Sequence, residues 1–437
     1  MIFHRRALQR RLTELRAVLG DEAINYLASR LNRPGRDRIA AMWELAVFHG
    51  FSKYGSLHSE VTLASGRRPD ILFNGHELQI SADVTAVSDE GLDQDNPYYE
   101  LSQLIEAAKR KLGLPIGGLD LRIKHRHKST GRGTRTVLKL PPRQKLREFV
   151  DQKVLPILRE QAASGQLPLS VVVDDEDVGV VITIDPSKSP YSSAGFAAYD
   201  VPTIKDRNPL YSALKAKADQ LRGAPGLSGV IVGDADCAVL SGLSHGGSGV
   251  SAGMIIQEFF RQHTSVDFVV LLSVREGPRN WFDVTPPERK NHLSLFVRDG
   301  CAFTSQLNVL FNGIKEHFPK PAMMPVNGAN RAREEGYGLG NHGGYQTTGL
   351  DMVRIGLREF TEVLAGLRTL QDNGAKPIEA GGSRSQEHNI PKAIILNNLK
   401  LGRLPVSVNI IKTDENDNDD WVEINFGEID PAIAPLQ

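Results

Sequence analysis

The segment His76–Val87, HELQISADVTAV, alternates strictly, with Glu77, Gln79, Ser81, Asp83 and Thr85 on one side and Leu78, Ile80, Ala82 and Val84 on the other. A period of two marks a β-strand with two unlike faces, so the surrounding chain must supply a sheet and a layer to cover its apolar side. Asn74-Gly75 predicts a hairpin turn just before this strand, because both residue types tolerate positive φ, and Asp70–Phe73 is its partner. A further strand is expected over Leu57–Leu63. Upstream, apolar spacing predicts a helix with Leu8, Leu12, Leu15 and Leu19 on one face. A second, from about Arg36 to His49, turns Ile39, Trp43, Val47 and Phe48 inward. Downstream, Leu101, Leu104, Ile105, Ala108 and Leu112 stripe a helix over Tyr99–Leu112, and Leu121–His125 reads as a strand. The expected order is helix, three strands, helix, strand.

The remainder alternates strand and helix. Strands are expected at Leu169–Val173, Val178–Ile184, Gly229–Val232, Val266–Val274 and Leu293–Val297, and helices near 209–222, 251–263 and 305–317. A helix over 350–371 places Leu350, Val353, Leu357, Phe360 and Leu364 inward and precedes terminal strands at Val406–Ile411 and Val422–Phe426. The chain therefore reads as α/β. Its expected divisions are a helical segment over 1–35, a first domain over 36–165, a second α/β domain over 166–326, a Gly/Asn-rich linker over 327–349 and a C-terminal helix and β region over 350–437.

Charge separates what the total conceals: the net charge of the 437 residues is zero, yet the signs segregate. Between Ile105 and Val150 a dense basic run, which includes Lys109, Lys111, Lys124, Arg126, Lys128, Arg132 and Arg135, meets only Glu106, Asp120 and Glu148. Such a run holds a polyanion by releasing condensed counterions, so nucleic acid is the expected partner. Near the C-terminus Asp414, Glu415, Asp417, Asp419 and Asp420 cluster in a predicted polar hairpin tip. Two distant cysteines, Cys237 and Cys301, exclude a disulfide framework and a structural zinc site by spacing. With no apolar run of membrane-spanning length, the expected location is the cytoplasm, with no membrane partner; the C-terminal region is the expected place for homo-oligomer or partner-protein contacts.

The chemistry is expected where acids converge. Asp83 lies on the polar face of its strand, Asp70 follows Pro69 on the hairpin partner, and Glu44 stands among apolar residues of the preceding helix. Carboxylates gathered on adjacent strands repel, so a shared cation is the natural reason for them to meet, and Mg2+ or Mn2+ suits hard oxygen ligands. If the Asn74-Gly75 turn is tight, Asp70 sits opposite Gln79, and Glu77 becomes the alternative acid.

Through Glu44, Glu60, Arg68-Pro69-Asp70 and Asp83-Val84-Thr85, residues 36–127 resemble the PD-(D/E)xK, or restriction-endonuclease-like, superfamily. The resemblance implies an N-terminal restriction-endonuclease-like α-β-β-β-α-β core and metal-dependent hydrolysis of phosphodiesters in DNA or RNA, in a setting such as prokaryotic antiphage defence or repair. Asp70 and Asp83 would be the metal ligands and Glu44 an accessory ligand, with Glu60 a weaker candidate. Arg68, Lys124, Arg126, Lys128, Arg132 and Arg135 would contact nucleic acid. The chain departs from the family in carrying Thr85 where a lysine is usual. Some families supply that lysine from the following helix, where Lys109 and Lys111 are both candidates.

Two other classes compete. A catalytically silent nucleic-acid-binding protein needs only the basic run. A serine hydrolase would use Ser244 within Gly242-Leu243-Ser244-His245-Gly246, a GxSxG pattern after a predicted strand at Ala238–Leu240. The glycines after Ser244 favour a loop over a nucleophile elbow. Gly338–Gly343 fits GxGxxG without a preceding strand, and Asp234 and Asp236, ending an apolar strand, are expected to cap it.

Overall fold

The computed structural model describes residues 1–59, 61–63, 66–92, 96–130, 133–196, 203–242, 250–278, 287–333, 345–367 and 390–433. They form a mixed α/β structure with several sheets. Two compact units divide the chain: one takes the described parts of Met1–Asp89, Thr203–Lys376 and His388–Gln437, the other those of Glu90–Pro202. The boundaries thus differ from the expected 36–165 and 166–326, because the second unit interrupts the first in sequence.

The first unit opens with helices α1 (Arg5–Asn32) and α2 (Arg36–Ser52), then strands β1 (Ser56–His58), β2 (Ile71–Gly75) and β3 (Leu78–Val87). After the interruption come helix α3 (Pro209–Gln220), strand β4 (Leu227–Asp234), helix α4 (Ala252–Gln262), strands β5 (Phe268–Glu276) and β6 (Arg289–Val297) and helix α5 (Thr304–Glu316). The six strands make one sheet in the order β1 to β6. Neighbours β1, β2 and β3 are antiparallel, β3, β4 and β5 parallel, and β6 antiparallel to β5.

Apolar residues cover both faces of this sheet. On one, Ile80, Ala82, Ile231 and Val270 pack with residues of α1, α2 and α5 such as Leu15, Trp43 and Phe311. On the other, Val230, Val232 and Val269 pack with Leu214 of α3 and Ile256 and Phe259 of α4. The parallel centre needs this double cover, since each strand pair joined by a crossover puts a helix on a face. The polar side of β3 is therefore not a solvent face: Ser81 and Asp83 are fully buried.

The hairpin departs from expectation. Asn74 pairs with Gln79 and Gly75 with Leu78, so the turn is His76-Glu77, both at positive φ. Gly75 serves close packing instead, because a Cβ there would lie 2.6 Å from the Tyr54 carbonyl oxygen. Two residues at positive φ match the right-handed twist of the strands, and the register follows the turn. The strand expected at Leu57–Leu63 is confined to Ser56–His58.

The second unit holds the helix Tyr98–Lys111 and the strand Leu119–Ile123, which were expected to complete the first sheet. Instead Leu119–Ile123 pairs antiparallel with Gly179–Ile184 in a separate four-stranded sheet. The basic stretch forms a hairpin of His125–Thr130 and Gly133–Leu138, and the helix expected from Arg143 is broken by a π-helical turn at Val150–Val154. This unit has its own core, built from residues such as Leu101, Ile105, Leu121, Leu158 and Ile182.

Toward the C-terminus, Met352–Gly356 is a strand and only Leu357–Leu364 is helical. Val353 and Ile355 are both buried, a period of two inside what resembled a helical stripe. The acidic tip joins two paired strands as expected, and its charges are answered: Asp420 meets Arg6 at 2.9 Å and Glu415 meets Arg10 at 3.1 Å.

Candidate functional site

Asp83 sits within β3, and the register that pairs Ile71 with Ala82 sets Asp70 directly across from it. The Asp70 backbone N–H donates to Asp83 Oδ1 at 3.0 Å, and the Val84 N–H donates to Asp70 Oδ2 at 2.8 Å. Each carboxylate is thus pinned by the opposite strand. Lys217 of α3 reaches both, its Nζ lying 3.5 Å from Asp70 Oδ2 and 3.8 Å from Asp83 Oδ1. The Asp83 side chain is sealed, whereas those of Asp70 and Lys217 are 24% and 20% exposed, so solvent reaches the pair from their side.

Burial first, and then the charge of Asp70, push the Asp83 carboxyl up to about 6, against the opposing pull of Lys217. Its Oδ2 is buried with no hydrogen-bond partner. A bare buried carboxylate oxygen is costly and is the atom a cation would take. Glu44 of α2 lies within the field of Asp70 and is pushed up to about 7, mainly by burial. Arg30 of α1 grips it, Nη1 to Oε2 at 2.5 Å, while Nε and Nη2 of the same guanidinium hold Asp37 at 2.9–3.1 Å.

These raised carboxyls set the sign of a pH effect. Between the unfolded values near 4 and the folded values of about 6 and 7, the folded state binds more protons, so stability falls as pH rises. The protein is expected to lose on the order of 4 kcal/mol from pH 4.5 to 7.5 through these two groups. Urea unfolding across that range, repeated for Asp83→Asn, checks it: the variant's slope should be shallower.

The structure sets Asp70 across from Asp83 and leaves Glu44 held by Arg30, within the electrostatic field of Asp70. Within the first unit, Glu77, Thr85 and Arg68 are not gathered with them. Glu77 lies exposed in the turn, which removes it as a ligand and removes the register that favoured it. Thr85 is half-buried opposite Val232, and Arg68 is exposed two residues before Asp70. Lys109 is fully buried in the second unit, where its ammonium serves Glu106 and the Gly117 carbonyl, and Lys111 lies 3.7 Å from Asp151. Lys124 and Arg126 pair with Asp174 and Asp177 at 2.6 and 2.8 Å, and Lys128 is exposed. Surface pairs of this kind are weak and exchange readily for a polyanion. Glu60, Arg132, Ser244 and the GxGxxG stretch lie outside the described residues, as does the Arg135 side chain.

Lys217 was missed by sequence reasoning, though a signal existed. Leu210, Leu214 and Leu221 are buried at helical spacing, and Lys217 stands in the same stripe. A lysine at a core-facing position needs a buried acid.

The buried carboxylate at the end of β4 caps the strand, as its position suggested. Asp234 accepts the Asp236 and Cys237 N–H groups at 3.0 and 2.9 Å and the Ser273 hydroxyl at 2.6 Å. Ala238–Leu240, expected as a strand, lies in a short helix, Ala238–Ser241.

Among the described residues, no group of three or more His, Cys, Asp or Glu side chains is placed to hold a metal ion, and no helix is long and apolar enough to cross a membrane. No family model, curated protein or solved structure matches the chain.

Proposed function

We propose that Asp70, Asp83 and Lys217 form the centre of a metal-dependent nuclease of the PD-(D/E)xK kind, with α3 supplying the lysine that Thr85 does not. The observation that carries this reading is an ammonium facing two opposed carboxylates, one of them with a bare buried oxygen. The order α2, β1, β2, β3, α3, β4 supports it, being the helix, three strands, helix and strand that the resemblance calls for, with residues 90–202 set between β3 and α3 in the chain.

Asp70 and Asp83 suit one hard divalent cation such as Mg2+ or Mn2+, which when bound supplies an acidified water and a Lewis acid for the phosphoryl oxygens. Lys217 keeps two carboxylates close without the ion, and its charge offsets the negative charge that grows on the phosphoryl group during attack. Pinning by the Asp70 and Val84 N–H groups holds the carboxylates in place, so little reorganisation is needed. Exposed Lys124, Arg126 and Lys128 favour the second reading, a nucleic-acid-binding protein without cleavage, in which the acid pair is only structural.

Plasmid DNA, single-stranded DNA and RNA incubated with the full chain and Mg2+ or Mn2+ separate the two. Cleavage that EDTA abolishes supports the nuclease. Salt-sensitive binding with no cleavage under either ion overturns it.

A further inference from the structure

We propose that Lys124, Arg126 and Lys139 form a docking surface for a nucleic-acid backbone, and that the acidic turn over 174–177 is a competitor built into the same unit, its carboxylates standing where phosphates would bind. This rests on the nucleic-acid partner common to both readings above, not on cleavage, and goes beyond it in assigning the contact that limits binding.

The turn Asp174-Asp175-Glu176-Asp177 joins the paired strands Leu169–Asp174 and Gly179–Ile184. Antiparallel pairing sets Lys124 and Lys139 side by side at the base of the basic hairpin, the Lys139 N–H donating to the Lys124 carbonyl at 2.8 Å, and alternation puts Arg126 on the same face as Lys124. One turn engages all three cations. Lys124 Nζ meets Asp174 at 2.6 Å, Arg126 Nη1 meets Asp177 at 2.8 Å, and Lys139 Nζ donates to the Asp175 carbonyl at 2.6 Å.

Two features mark the contact as built. Gly179 lies between Lys124 and Asp174 across the sheet, and a Cβ there would come within 2.8 Å of the Lys124 Cβ, so the bare glycine lets the lysine cross to the acid. Asp175 turns its own carboxylate inward, accepting the Asp177 and Val178 N–H groups at 3.0 and 2.7 Å, which fixes the shape of the turn. The pairs are nonetheless open to exchange, since the side chains of Lys124, Arg126, Asp174 and Asp177 are between 44% and 79% exposed. Exposed pairs hold weakly, so a polyanion displaces them. Each carboxylate freed then regains a counterion and offsets one released from the nucleic acid.

Fluorescence anisotropy of the full chain with labelled duplex DNA, single-stranded DNA and RNA, in EDTA so that no cleavage intervenes, tests this. Asp174→Asn with Asp177→Asn, exposed changes that leave Asp175 to hold the turn, should bind the preferred probe about tenfold tighter than the wild type at low salt. The log–log salt slope should steepen by about 1.5–2, because two further phosphates are neutralised at about 0.7–0.9 each. The same two substitutions added to Lys124→Gln with Arg126→Gln should change affinity less than about twofold, since no cation is freed. An equal gain in that background means that lost negative charge alone acts, and overturns the competitor. Unchanged affinity and slope beside the native lysine and arginine overturn it too, and leave the nucleic-acid reading standing. No binding of any probe by any of these proteins overturns both.

Discussion

Asp83→Asn is expected to lower metal-dependent cleavage by about a thousandfold while making the metal-free protein more stable at neutral pH by about 1–2 kcal/mol. The opposed signs follow from one cause. Asp83 is fully buried, and burial together with Asp70 raises its carboxyl to about 6, so ionising it at pH 7 costs folding free energy. Asparagine keeps an oxygen for the Asp70 N–H and removes the charge. Lys217→Met should reduce cleavage by about a hundredfold or more, yet destabilise, because two carboxylates then face each other without a cation. Added Mg2+ should restore much of that lost stability. Cleavage rates and urea midpoints, with and without Mg2+, give the answer; a merely structural ion pair predicts the same stability changes with no cleavage to lose and no effect of Mg2+.

Trp43→Ala is expected to cost about 3–5 kcal/mol, a large share of what a domain has. Trp43 is fully buried, packs edge-to-face on Phe3 with centroids 5.1 Å apart, and donates its indole N–H to the Asp234 carbonyl at 2.9 Å. It also fills the space left by Gly233, where a Cβ would collide with its ring. Truncation therefore leaves a cavity between α2 and β4 and an unpaired backbone acceptor beside it. Trp43→Phe, which keeps most of the packing, should cost about 1–2 kcal/mol. Denaturation midpoints, with hydrogen exchange followed at the β4 amides, distinguish cavity from lost hydrogen bond.

The acid pair was legible because strand alternation is a local property. Asp83 had to share a face with Ser81 and Thr85, and an antiparallel partner beginning at Pro69-Asp70 offered a second acid, though only the register fixed by the turn set it opposite Asp83. The helices over 36–49, 209–222, 251–263 and 305–317 were legible for the same reason, since their apolar stripes are written in consecutive turns. The helix expected over 350–371 failed at its start because the helical spacing of Val353, Leu357 and Phe360 masks the alternation of Val353 and Ile355, which are buried on a strand. The turn failed because Asn74-Gly75 offered the better local chemistry, while packing of Gly75 against Tyr54 required it elsewhere.

What the residues determined alone was which side chains lie on one face of a strand or helix, because that follows from backbone geometry within a few positions. The identity of the cation beside Asp70 and Asp83 was decided only in three dimensions. Residues 90–202 separate β3 from α3 along the chain, so the lysines that first follow Asp83 in sequence belong to another compact unit. Parallel pairing of β3 with β4 brings α3 over β3 and Lys217 to the acids, a contact across more than a hundred residues that no local pattern encodes.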